Sequence, residues 1–188
     1  MNSKITYKTL TSSDFEACIA LGTQVHGDGY IDIHSIKEWL EKGIKNTINS
    51  SFVAYKGKKL VGFRITFSAL QWQIDQWCST KLWRIAPSKV CYFKCSSVDE
   101  SYRGYGIGSQ LLFLSIEAVK KQGAQAGVSH LWMESPGNSA VKYFSKSGGV
   151  LIKEHRDRWL ESSLNGYKCT ICDSKCHCTA AEMIIYFS

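Results

Sequence analysis

The sequence predicts an α/β fold, and three observations carry that expectation. Short β-type runs alternate with amphipathic helical runs along the chain. A glycine-rich stretch, Tyr102-Arg103-Gly104-Tyr105-Gly106-Ile107-Gly108, falls where a strand ending at Val98 gives way to a helix starting near Ile107. A length of 188 residues with 44% hydrophobic residues suffices for one core and is short for two, so a single domain over residues 1–188 is expected.

Taken in order, Ile5 to Leu10 alternates as a first strand. Ser12 or Ser13 is placed to cap a helix running to about Gln24, with Asp14 and Glu16 in its first turn. The loop His26-Gly-Asp-Gly-Tyr-Ile-Asp-Ile-His leads to a second helix, on which Ile36, Trp39, Leu40 and Ile44 keep helical spacing. Ser51 to Tyr55 and Leu60 to Phe67 flank a Lys56-Gly-Lys-Lys turn and read as a hairpin. Val90 to Val98 is the next strand, and Ile107 to Lys121 sets Ile107, Leu111, Leu114 and Ala118 on one helical face. Strand, helix and strand follow at 129–134, 138–147 and 149–159, and Met183 to Phe187 is the last strand. Residues 69–88 hold Trp72, Trp77 and Trp83 at irregular spacing. These tryptophans have two readings, a cover for part of the core or an aromatic lid over a pocket.

The formal net charge is +7, yet its lysines and arginines are scattered and the densest cluster is Lys56-Gly-Lys-Lys. That pattern argues against a nucleic-acid surface while still favouring an anionic ligand by steering. No run approaches the about 20 consecutive apolar residues of a membrane span, and the Met1-Asn-Ser-Lys start lacks the apolar core of a leader, so a cytoplasmic protein without a membrane partner is expected.

The glycine loop carries the first chemical signal. Backbone N–H groups at a helix start have no intrahelical partner and sit at the positive end of the dipole, so they attract a pyrophosphate. Glycines at 104, 106 and 108 would let the anion approach the backbone, against the plain alternative of a solvated turn. No Lys-Ser/Thr follows the glycines and Arg opens the stretch, which argues against P-loop and Rossmann sites. What remains is Arg-x-x-Gly-x-Gly, made of Arg103, Gly106 and Gly108.

This resembles the acyl-CoA motif of the GNAT superfamily of N-acyltransferases, Gln/Arg-x-x-Gly-x-Gly/Ala. The run from Cys95 to Leu112 is similar to the family's fourth strand, pyrophosphate loop and third helix in uninterrupted order. Leu131-Trp-Met-Glu-Ser-Pro resembles its fifth strand, and Asn138 to Gly149 its fourth helix with a closing glycine. The resemblance covers roughly the second half of the chain. It implies a mixed, mostly antiparallel central sheet flanked by helices and splayed between strands 4 and 5. It also implies acetyl-CoA as cosubstrate, held by Arg103, Gly104, Tyr105, Gly106, Ile107, Gly108, Ser109 and Asn138, with backbone N–H groups near Ser97 and Val98 taking the pantetheine and the thioester oxygen. The implied reaction is acetyl transfer to an amine with no covalent enzyme intermediate. The Trp-rich segment is then an insertion between two strands that the family joins more directly.

The catalytic groups are less plainly written. Glu134, at the end of the fifth strand, is the general-base candidate, with a solvated strand-end carboxylate as the alternative. His130 and His155 are weaker candidates, read first as hydrogen-bonded structural residues. Many family members place the acid Tyr four residues after the alanine of the fourth helix; counted from Ala140 that is Phe144, which has no proton to give. Tyr143 is adjacent but lies about 100° round the helix. Either Tyr143 substitutes or the thiolate leaves with help from water or backbone dipoles. The same count puts Gly137 where the family has Asn, with Asn138 one residue late.

The acceptor is expected to be a small-molecule or peptide amine bordered by the His26 to His34 loop and the Trp-rich segment, with Asp28 and Asp32 as attractants for a cationic amine. A non-catalytic acyl-CoA-binding or interaction protein is the second reading, motivated by Phe144. A monomer and a homodimer are both compatible with the sequence.

The cysteines supply a second signal. Four of the eight form Cys169-x2-Cys172-x3-Cys176-x-Cys178. Four thiolates within ten positions can wrap one tetrahedral Zn2+. Disulfides suit a cytoplasmic setting poorly, an iron–sulfur cluster would find little protein around it here, and free thiols would oxidise readily. His177 is a possible replacement for Cys176 or Cys178. A closed four-ligand sphere makes such a zinc structural, pinning the 161–181 connection between the last two strands. A loop of this spacing is similar to one at the end of some bacterial GNAT proteins, and its removal is expected to loosen the last strand before it touches chemistry.

Overall fold

A computed structural model describes residues 4–172 and 174–188. The Met1–Ser3 start, judged above to lack a leader, lies outside them, as does Asp173. The elements are β1 (Ile5–Thr9), α1 (Phe15–His26), α2 (Ile33–Lys42), a small hairpin β2 (Ile44–Lys45) and β3 (Ile48–Asn49), β4 (Phe52–Lys56), β5 (Lys59–Phe67), β6 (Val90–Val98), α3 (Ile107–Lys121), β7 (Ala126–Trp132), α4 (Ser139–Lys146), β8 (Val150–His155), α5 (Leu160–Leu164) and β9 (Ala180–Tyr186). Among the described residues the main sheet is seven-stranded, in the order β1-β4-β5-β6-β7-β9-β8. Its pairings are antiparallel except β6 with β7.

Several boundaries differ from the sequence expectation for identifiable reasons. Asp14, read as a first-turn residue, instead closes a 3-10 turn ahead of α1, its carboxylate accepting from the Thr11 N–H and hydroxyl at 2.9 Å. The second helix ends at Lys42, and Ile44, expected on its apolar face, is 40% exposed in β2. The last strand starts at Ala180 rather than Met183, because the fully buried Glu182 breaks the apolar pattern that marks a strand. Residues 156–159, expected in a strand, form a turn after β8.

The sheet opens at its centre. β6 and β7 pair only from Val90–Tyr92 against Ala126–Val128 and run on without a shared ladder. Across β5 the register slips, with Cys95 opposite Ile65 and Phe93 opposite Thr66, so Lys94 is an extra residue that bends β6 away from its neighbour. The Ser129 hydroxyl donates to the Phe93 carbonyl at 2.8 Å, covering an acceptor exposed where the strands part.

Apolar faces seal both sides. On the α1–α2 side, Phe15, Cys18 and Leu21 of α1 pack with Leu10, Phe63, Ile65 and Cys95; on the α3–α4 side, Leu112 and Phe144 pack with Cys91, Phe93 and Met183. Trp83, fully buried against Val90, Val128 and Ile184, anchors the Trp-rich segment, and the Trp72 indole N–H donates to the Val90 carbonyl at 3.0 Å.

The cysteine-bearing loop is docked on the α1–α2 connection. The Lys168 N–H donates to Asp28 O at 2.8 Å and the Tyr167 hydroxyl to His26 O at 2.9 Å. Gly27 makes that approach feasible: its φ is +108°, and a Cβ there would sit 1.8 Å from the Lys168 carbonyl oxygen. Gly27→Ala is therefore expected to lower stability by about 1–3 kcal/mol, read as a lower urea midpoint at unchanged m-value.

Candidate active site

The opening between β6 and β7 leads to the start of α3. The Asp99 N–H donates to Val61 O at 3.0 Å, so by strand alternation the Val98 N–H faces away from β5, toward the gap. Ser97 is buried, with its hydroxyl 3.0 Å from His26 Nε2. Gly104 and Gly106 have φ of +84° and +76°, and nothing lies within 4 Å of where their Cβ atoms would be. The first N–H groups of α3 have no intrahelical partner, and no side-chain atom of the loop crowds these two positions. Ile107 is buried and fixes the helix on the sheet, whereas Tyr105 and Ser109 are exposed around the loop. Arg103 is exposed, with Nε 3.3 Å from Val98 O. Asp99 is turned away, paired with Lys59 at 2.7 Å, which holds its carboxyl below the usual range. Asn138 stands at the start of α4 with φ +53°, its Oδ1 buried and unpartnered.

On the α3–α4 side, the two aromatic residues of α4 divide their roles. Phe144 is fully buried, edge-on to Phe93 with ring centroids 5.9 Å apart. The Tyr143 hydroxyl accepts from Arg64 Nη2. Arg64 is 1% exposed on β5, its guanidinium 5.3 Å from the Phe93 ring centroid and 5.8 Å from that of Tyr143. Among the described residues it has no carboxylate partner, and its Nε is buried without a hydrogen bond. Burying an unpaired cation costs several kcal/mol, an arrangement that becomes favourable where negative charge develops. Sequence reasoning passed over Arg64, although an arginine inside an apolar strand was the available signal.

The opposite face holds a cleft of about 210 Å³ walled by Trp39, Phe67, Trp72 and Tyr92, with Lys42, Lys94, His130, Asp75 and Arg158 among its polar lining. His130 Nε2 lies 2.7 Å from the Trp77 carbonyl and must donate to it, which leaves Nδ1 to accept from the Tyr92 hydroxyl at 3.2 Å. Burial, followed by the charges of Arg158 and His155, lowers the His130 pKa to about 4, so the ring is neutral near pH 7. Burial, with Lys94 and Arg103 nearby, does the same to His26.

Behind His130, His155 Nε2 meets Glu182 Oε2 at 2.9 Å, while Glu182 Oε1 accepts from Trp83 Nε1 at 2.7 Å and Ser79 N at 2.8 Å. His130, His155 and Glu182 bring ligand-type atoms within 4.8 Å of one another. Their hydrogen bonds instead bolt the Trp-rich segment to β9. Glu134 is exposed in the turn after β7, both its carboxylate oxygens 3.0 Å from the Thr179 N–H. Asp32 caps α2 by accepting from Ser35 N at 2.7 Å, and neither it nor Asp28 lines the cleft.

The sequence profile described as "Acetyltransferase (GNAT) family" matches residues 19–149, well over half of the chain. The chain belongs to the GNAT acetyltransferase family. Solved structures agree on the fold: N-acetyltransferase from Staphylococcus aureus (17% identity, TM-score 0.69, 98% of this chain and 99% of that one) and ribosomal-protein-alanine N-acetyltransferase from Brucella melitensis (13%, 0.67, 97% and 99%). A third, yncA from Salmonella typhimurium, was solved with its cofactor acetyl-CoA (12%, 0.69, 99% and 95%). No curated protein sequence matches the chain. Among the described residues no helix of this acetyltransferase is long and apolar enough to cross a membrane.

The GNAT chain also gathers its four clustered cysteines. Cys169, Cys176 and Cys178 are buried and Cys172 is half-buried, with all four sulfurs within 4.8 Å of one another. Cys178 Sγ lies 3.8 Å from Cys169 Sγ and 3.5 Å from Cys172 Sγ. Four sulfurs at tetrahedral corners about 2.3 Å from a zinc ion stand about 3.8 Å apart, so the set fits. His177 points elsewhere, its Nδ1 2.8 Å from Asp157.

Two histidines, the buried His130 and the half-buried His26, make this acetyltransferase acid-sensitive. Both have an ordinary pKa of 6.5 and a folded value of about 4, so between these pH values the unfolded chain binds protons that the folded chain refuses. Stability should therefore fall as pH is lowered through that window. Urea unfolding at about pH 7 and about pH 5 should show the loss, with His26→Gln flattening it.

Proposed function

We propose that this GNAT protein is an N-acetyltransferase that moves the acetyl group of acetyl-CoA directly to a primary amine. The observation that carries the reading is the gap between β6 and β7, with the glycine cradle at one end, the Tyr143 hydroxyl on one face and the Tyr92–His130 pair on the other. In this reading the pyrophosphate lies on the α3 start at Gly104, Gly106, Ile107 and Gly108, beside Arg103, Tyr105 and Ser109, with Asn138 on the α4 side. The Val98 N–H faces the thioester oxygen as it gains charge.

The amine attacks the thioester carbonyl from the Trp39–Tyr92 side. Its proton passes to the Tyr92 oxygen as Tyr92 gives its own proton to His130 Nδ1. The CoA sulfur leaves with the proton of Tyr143, and the phenolate so formed is faced by the Arg64 guanidinium. This assigns Tyr143 as the acid that Phe144 cannot be. It moves the base role from Glu134, whose engagement with Thr179 suits a brace, to Tyr92 and His130.

We also assign a structural zinc to Cys169, Cys172, Cys176 and Cys178. Burial and the neighbouring thiols push Cys176 up to about 11 and Cys178 further, whereas backbone and thiol hydrogen bonds outweigh burial to lower Cys169. A bound dication would offset that mutual repulsion and let all four thiols ionise.

Free-thiol release from acetyl-CoA across a panel of amines, run beside calorimetric titration with CoA, tests the transfer. Amine-dependent release supports it; tight CoA binding without release favours an acyl-CoA-binding module. Tyr143→Phe should lower kcat by about 100-fold or more while CoA affinity holds. Because the cysteine loop grips the His26–Asp28 segment, zinc chelation should raise the acceptor KM before it weakens CoA binding.

A further inference from the structure

We propose that the acceptor is a small amine carrying its own carboxylate and an aromatic or other apolar side group, of the α-amino-acid class, held with the carboxylate against Lys94 and Arg158. This names the substrate class of the transfer reading above and rests on it.

The charge lining the cleft is unbalanced. Lys42 is paired outside with Glu38, and Arg158 Nη2 reaches Asp75 Oδ2 at 3.3 Å. Lys94 has no carboxylate partner among the described residues; its Nζ lies over the Trp39 ring, 4.5 Å from the centroid. Burial, then the nearby Arg158 and Lys42, holds the Lys94 pKa below the ordinary lysine range. The Nε of Arg158 is buried and unpartnered. A half-buried lysine without a carboxylate and a guanidinium held by a single acidic partner, in one cleft, form a site that an anion would complete.

Position favours an anionic group on the acceptor over the phosphates of the cofactor, which the reading above places at the start of α3. Lys94 is the bulged residue at which β6 leaves β7, so the site adjoins the gap from the face opposite α3 and α4. The same cleft offers the stacked rings of Trp72 and Tyr92, 4.8 Å apart, as an apolar wall. Its volume of about 210 Å³ suits an amino-acid-sized molecule. Polyamines and aminoglycosides, with several positive charges, would be repelled by Lys94. The same field disfavours the ammonium form of the bound amine, leaving the neutral nucleophile that the transfer requires.

The test compares kcat/KM for phenylalanine, its methyl ester and phenethylamine, using thiol release from acetyl-CoA. The same three compounds are titrated onto the CoA-loaded protein by calorimetry. The free acid is expected to win by about tenfold or more in the wild type, and Lys94→Met with Arg158→Gln to collapse that ratio while CoA affinity stays unchanged. Equal or better use of the ester, of phenethylamine or of a polyamine by the wild-type protein would overturn the inference while leaving the transferase intact. Carboxylate-dependent binding without thiol release would do the reverse. The wild-type comparison decides the matter even if the double variant fails to fold.

Discussion

Everything that makes this molecule able to act on a ligand depends on one broken ladder. A sheet gains by pairing every backbone N–H and C=O, yet β6 and β7 pair over three residues and then separate. The extra residue at Lys94 supplies the bend, and Ser129 covers the Phe93 carbonyl exposed where the strands part. The gap joins the two faces of the sheet, which would otherwise be sealed from each other, and the open backbone of β6 becomes available to a ligand.

The surroundings of the gap consist of buried polar groups held by few but specific bonds. Glu182 is fully buried on β9, and it remains affordable because His155, Trp83 and the Ser79 N–H all donate to it. That network fixes the Trp-rich segment as one wall of the cleft. Of the two sequence readings of those tryptophans, each describes a different residue: Trp83 is core and Trp72 borders the cleft. Arg64 and Lys94 are held differently, on aromatic faces without carboxylates, and both lie next to the gap, where a thioester, a thiolate or an anionic acceptor would bring the missing negative charge.

The cysteine-bearing loop engages elements beyond its own strands. A zinc was expected to pin the connection between the last two strands, and that connection also engages the α1–α2 connection through Tyr167 and Lys168. That connection carries His26 and Tyr30, stacked at 4.2 Å, toward Ser97 at the gap. A closed metal site would thereby bear on the acceptor side of the reaction without touching the reacting atoms.

By itself the sequence determined what depends on neighbours along the chain. The periodicity of α3, the glycines that free its first N–H groups, the hairpin at Lys56–Lys59 and the four-cysteine spacing were all legible, because each is specified within about fifteen residues. The family resemblance added the splay, which no local pattern announces. Tertiary structure alone decided which distant polar groups meet: Arg64 with Tyr143 across 79 positions, Trp83 with Glu182 across 99, and His26 with Ser97 across 71. Those partnerships follow from how faces stack after the chain has collapsed, and a buried arginine or glutamate in an apolar strand looks in sequence like an interruption until its partner is placed beside it.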